Sequence, residues 1–108
     1  MANTFTSYLN QNVGTSAATV VTVSGGTQTT IIGMSCANTT SSPVTVSAYI
    51  TRSATDYYLI KTATVPVGSS LVIVGGDQKV VLVASDVLKV ISSAASSLDV
   101  VTSVLNIT

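Results

Sequence analysis

The stretch Val44-Thr45-Val46-Ser47-Ala48-Tyr49-Ile50-Thr51 alternates without a break between apolar residues and residues that carry a hydroxyl. In an extended chain successive side chains point to opposite faces. The period of two therefore places Val44, Val46, Ala48 and Ile50 on one face and Thr45, Ser47, Tyr49 and Thr51 on the other. A helix would scatter the same apolar set around its circumference. The segment reads as a strand with one face against a core and one face turned outward.

Similar alternating or short apolar runs lie on both sides of it, over residues 18–23, 29–37, 57–61, 71–74, 80–83, 87–91 and 98–107. Together they predict about eight strands, with a weaker ninth over residues 5–9. The separators carry turn chemistry. Ser24-Gly25-Gly26 offers residues that tolerate positive φ, Asn38 to Pro43 is a polar loop closed by proline, and Pro66-Val67-Gly68 and Ala84-Ser85-Asp86 are further corners. Gly75-Gly76-Asp77 reads as a hairpin between the runs around it. Ser92-Ser93-Ala94-Ala95-Ser96-Ser97 is too short for an interdomain linker and reads as a loop. Short strands about ten residues apart, with no helical pattern between them, predict one all-β domain over residues 1–108: a β-sandwich of mainly antiparallel strands, jelly-roll or immunoglobulin-like, with the strand order open. Residues 1–17 are an N-terminal arm or an edge strand.

Composition agrees with that class. Of the 108 residues 46% are hydrophobic and only 7% charged, so the chain is apolar enough to fold and too weakly charged to be disordered. Valine and threonine dominate, and β-branched side chains suit a pleated surface. Arg52, Lys61, Lys79 and Lys89 balance Asp56, Asp77, Asp86 and Asp99 to a net charge of zero. Four scattered cations do not make the positive field that several phosphates require, so nucleic acid is not an expected partner. Near-zero charge also removes the repulsion that keeps soluble proteins apart, and it leaves sheet edges poorly guarded. Both features point to a protein that lives assembled.

No apolar run reaches the roughly eighteen residues that span a bilayer. The start MANTFTSYLN lacks the basic and apolar segments of a secretory signal. The expectation is a chain made in the cytoplasm, with no membrane partner.

Catalysis is not expected, and neither is a cofactor or a metal. The chain contains no histidine and no glutamate, so general acid–base chemistry and the activation of a serine or of Cys36 lack their usual partner. The aspartates show no calcium-loop spacing. Asp77 and Asp86 read as turn residues, and Asp56 and Asp99 as solvated strand starts. Cys36 reads as a small buried residue of an internal strand.

Contact residues are the remaining question. Tyr57 and Tyr58 should point to opposite faces, one into the core and one outward, and Tyr49, Tyr57 and Tyr58 are candidate interface residues because tyrosine is enriched at interfaces. The same tyrosines would serve a carbohydrate- or surface-binding module as a stacking platform. The last strand carries apolar residues on both faces: Leu98, Val100 and Val104 on one, Val101, Leu105 and Ile107 on the other. A strand of this kind is covered on both sides, and one thin sandwich offers little to cover the second. Val101, Leu105 and Ile107 are therefore candidate contacts to a neighbouring subunit.

The second half of the chain carries a resemblance. Asp56-Tyr57-Tyr58-Leu59-Ile60-Lys61, Val65-Pro66-Val67-Gly68-Ser69-Ser70-Leu71, Lys79-Val80-Val81-Leu82, Ser85-Asp86-Val87-Leu88-Lys89-Val90 and Leu98-Asp99-Val100-Val101-Thr102-Ser103-Val104-Leu105 resemble small β-sandwich structural proteins of tailed bacteriophage virions. The resemblance covers about half the chain and consists mostly of turns and core positions. It implies a virion structural protein: a capsid decoration or cement protein first, a neck, collar or tail component second. It also implies self-association, contacts to major capsid or neck and tail proteins, and no catalytic residues.

Overall fold

The computed structural model describes residues 2–75 and 78–108, and within them the chain forms nine strands. These are β1 (Asn3–Val13), β2 (Ala18–Thr22), β3 (Gln28–Asn38), β4 (Val44–Arg52), β5 (Thr55–Val65), β6 (Ser70–Val74), β7 (Val80–Leu82), β8 (Val87–Ser92) and β9 (Leu98–Ile107). One sheet has the order β1-β9-β3-β6, with β7 also on β3; the other has the order β2-β8-β4-β5. All pairings are antiparallel. The chain passes repeatedly from one sheet to the other and interleaves its first and last strands, which is the strand order of a jelly roll.

The core lies between the sheets and is built by the alternation that the sequence shows. Val44, Val46 and Ala48 are buried and Ile50 packs partly against them, while Thr45, Ser47, Tyr49 and Thr51 are half-exposed on the other face. Opposite them, β3 supplies Ile31, Met34 and Cys36, and β9 supplies Leu98, Val100 and Val104. β3 is internal, with β9 on one side and β6 and β7 on the other. Cys36 is accordingly fully buried; burial raises its thiol pKa, and a weak contact to the Leu71 carbonyl only partly offsets this. A thiol reagent should label Cys36 slowly in the native protein and quickly in denaturant. Equal rates in both states would contradict the assignment, and mass spectrometry at timed intervals measures it.

The turns behave as their residues require. Gly26 and Gly68 take positive φ values of 78° and 67° in the Ser24–Thr27 and Pro66–Ser69 turns. Asn38 organises its loop: its Nδ2 donates to the carbonyls of Ser42 and Val65, and its Oδ1 accepts from the Thr40 amide and hydroxyl. The serine and alanine loop is pinned from inside by Ser92 and Ser97, whose buried hydroxyls bond to each other, while Ser97 also donates to the Ala94 carbonyl.

Two sequence expectations are corrected. Gly76 and Asp77 lie outside the described residues, but the strands flanking them do not form a hairpin: β6 pairs with residues 34–37 of β3 and β7 with residues 29–31, so the two follow each other along one edge. Of Tyr57 and Tyr58, neither enters the core. Both lie on the edge strand β5, where Tyr57 sits past the end of the core beside Ile50 and Arg52. Asp86 is the turn residue that its sequence suggests, its amide donating to the Val83 carbonyl, and its side chain is buried. The N-terminal segment is an edge strand from Asn3 to Val13, and backbone bonds between Ala2 and Thr108 bring the two described ends together.

Candidate functional site

β9 decides where the exposed apolar surface lies. It is central in its sheet, between β1 and β3, so its inner residues Leu98, Val100, Thr102 and Val104 are buried. Its outer residues Val101, Leu105 and Ile107 face away from the second sheet, and none of the nine strands covers them. The register aligns these residues with other apolar groups across the sheet. Phe5, Leu105, Thr30 and Val81 form one row across β1, β9, β3 and β7. Leu9, Val101, Ser35 and Val72 form a second row across β1, β9, β3 and β6. Between the rows, Ser7, Ser103 and Gly33 pair with one another.

These apolar groups are open to solvent: Phe5 is 74% exposed, Leu9 72%, Val72 63%, Val81 53% and Val101 46%. Scattered single apolar side chains on a surface mean little, but Phe5 beside Leu105 and Leu9 beside Val101, with Val81 and Val72 further along the same rows, are not scattered. Phe5, Leu9, Val72 and Val81 were not singled out in the sequence. The signal for β1 was there in the alternation Phe5-Thr6-Ser7-Tyr8-Leu9, whose outer set is Phe5, Ser7 and Leu9. Nothing in the sequence says which strands share a sheet with β9.

The tyrosine candidates fall elsewhere. Tyr49 and Tyr58 pair across β4 and β5 on the outer face of the other sheet, with ring centroids 5.0 Å apart and planes tilted by 43°. The Lys61 ammonium lies 4.9 Å from the centre of the Tyr58 ring and so occupies one of its faces. Lys89 pairs with Tyr49 from the β8 side. Burial, Asp56 and Tyr58 raise the Tyr49 pKa, so its hydroxyl stays protonated well above neutrality. The six candidate residues therefore do not form one site. Val101, Leu105 and Ile107 share a face, Tyr49 and Tyr58 share the opposite one, and Tyr57 stands at one end.

The fold is similar to a chain in the solved structure of Bacillus endospore appendages, described as a family of disulfide-linked pili. The TM-score is 0.55 at 17% identity, over 98% of this chain and 88% of that one. No protein-family model matches the sequence, and no curated protein does. The likeness is one of fold; it supports the all-β sandwich.

The acids are placed singly. Asp86 accepts from Arg52 Nε at 2.7 Å and Arg52 Nη2 at 2.6 Å, and from the Val83 amide at 2.9 Å. Asp56 accepts from the Thr51 hydroxyl, and Asp99 from the Asn12 amide. Among the described residues no three Cys or Asp side chains converge as metal ligands do. No helix there is long and apolar enough to cross a membrane.

The Arg52–Asp86 pair ties the end of β4 to the turn before β8, and Arg52 holds the Asp86 carboxyl below its ordinary range. The direction fixes the pH dependence. A carboxyl whose folded pKa is depressed stabilises the fold above its unfolded value of about 3.9, and that contribution is lost as pH falls through the folded pKa. The melting temperature should therefore fall more steeply from about pH 5 to pH 3 in the natural protein than in Asp86→Asn. Parallel curves from scanning calorimetry would show that the pair contributes nothing.

Proposed function

We propose that this chain is a structural subunit of a bacteriophage particle, a capsid decoration or cement protein ahead of a neck or tail component, and that it performs no chemistry. The observation that carries the reading is the pair of exposed apolar rows on the outer face of the β1-β9-β3 sheet, because a sandwich with such a face is complete only when something covers it. The resemblance of the second half to phage virion proteins supplies the kind of assembly. Support for the non-catalytic part comes from the acids: each of the three described aspartates is engaged by its own neighbour, in separate parts of the fold.

Mass spectrometry of purified phage particles tests the reading. The expected result is this chain in stoichiometric amounts, on the order of hundreds of copies for a shell position and about a dozen or fewer for a neck or tail position. Its absence from every particle would overturn the proposal.

A second reading, a subunit of an extracellular fibre, is favoured by the likeness to a pilus subunit. Purified protein polymerising alone into fibres under the electron microscope would support it. Disulfide linkage through Cys36 does not suit the fold, because that thiol is fully buried between the sheets.

A further inference from the structure

We propose that two copies of this chain pair face to face about a two-fold axis, each burying the outer surface of its β1-β9-β3-β6/β7 sheet against the same surface of the other. The proposal rests on the assembly reading above and names the occupant of that surface. A two-fold contact requires a surface that complements itself. The relief of this face does so: two apolar ridges, one led by Phe5 and one by Leu9, flank the low trough of Ser7, Ser103 and Gly33. Phe5 and Leu9 are four residues apart on one strand, which puts the ridges about 13 Å apart with the trough midway.

When the second copy is turned by the two-fold operation, one of its ridges drops into this trough and a ridge of the first copy drops into the other trough. The Phe5 ridge is the one that fits. It then lays Val101 of one copy on Ile107 of the other, apolar on apolar, with Leu9 over Asn3 at the rim. Seating the Leu9 ridge instead would lay Leu105 on Asp99, an apolar side chain on a carboxylate.

Charge and area point the same way. Asp99 is the one charged residue along β1, β3 and β9, and it stands at the margin of the face with its carboxylate already accepting the Asn12 amide. A charged partner would gain nothing here, whereas an uncharged copy of the same face loses nothing. Phe5, Leu9, Val72, Val81 and Val101 are each 46–74% exposed on this face, a patch wide enough across four strands to supply much of the about 800 Å² per partner that a stable interface buries. Two such sheets stacked at about 10 Å form a second core like the one inside each sandwich.

Sedimentation over a range of concentrations tests the pairing with the full chain and four variants. The natural protein is expected to sediment as a dimer. Phe5→Lys and Val101→Lys, both at exposed positions, should keep the natural circular dichroism and weaken dimerisation at least about a hundredfold. Tyr58→Lys, on the opposite sheet, should dimerise as before. Ser103→Cys should be captured as a covalent dimer by a short bis-maleimide, because the axis crosses β9 between Ser103 and Leu105 and Cys36 is buried and out of reach.

A natural protein that stays monomeric at every concentration overturns the proposal, as does a dimer that survives both lysine changes or is lost on Tyr58→Lys. A monomer still found in phage particles would leave the structural function standing with a different occupant. A confirmed dimer absent from all particles would do the reverse.

Discussion

Val46→Asp should leave a chain that no longer folds, whereas Thr45→Asp, one residue away, should leave the fold intact. Val46 is buried between the sheets and its cross-strand neighbours are Ala63 and Ser92, neither of which carries a positive charge to balance a carboxylate. An unpaired buried charge costs about 3–5 kcal/mol or more, a large share of the 5–15 kcal/mol that holds a domain of this size together. Thr45 looks outward, opposite Thr64, so a carboxylate there stays in water and meets no like charge; the cost should stay within about 1 kcal/mol. Circular dichroism and thermal melting of the two proteins decide it. Equal losses would mean that the register of β4 is wrong by one residue.

The second large effect is expected on β9, where lysine substitutions should divide by face. Leu98→Lys, Val100→Lys and Val104→Lys put an ammonium into the space between the sheets, and all three should be unfolded or aggregated. Val101→Lys, Leu105→Lys and Ile107→Lys place the charge on the outer face, where a long side chain reaches water. These three should fold as monomers and fail to assemble. Far-ultraviolet dichroism paired with sizing separates the outcomes, and six unfolded proteins would mean that β9 is ordinary core with no interface. The apolar load of β9 on both faces was legible in the sequence, and the structure supplies the reason: β9 is a central strand whose outer surface has no second layer above it.

Most elements were legible because period-two patterning is a local property. The predicted run over residues 29–37 became Gln28–Asn38, that over 71–74 became Ser70–Val74, and that over 98–107 became Leu98–Ile107. Even the weak signal over residues 5–9 marked a real strand, Asn3–Val13. What failed depended on neighbours distant in sequence. Tyr57 and Tyr58 were expected to divide between core and solvent, which holds for a strand covered along its length, but β5 is an edge strand that runs past the core. Asp86 was rightly read as a turn residue, but its ion pair with Arg52, 34 residues earlier in the chain, is not written in that turn. Residues 75–77 looked like a hairpin because turn residues separate two apolar runs; whether those runs pair with each other or with a third strand is not written locally.

Local patterning set the class of the fold, the positions of the strands and the inward face of β4, because alternation of side-chain chemistry along an extended chain dictates which face can be buried. Composition determined that acid–base chemistry lacks its usual residues. The tertiary structure alone decided that the order is a jelly roll, that Val101 and Leu105 stand in line with Phe5, Leu9, Val72 and Val81, and that the tyrosines lie on the opposite sheet. The physical reason is that pairing partners in this fold come from opposite ends of the chain, as Phe5 and Leu105 do. Strand neighbours of that kind are chosen by how the whole set of apolar faces closes over one core, and any single stretch of sequence is compatible with several choices.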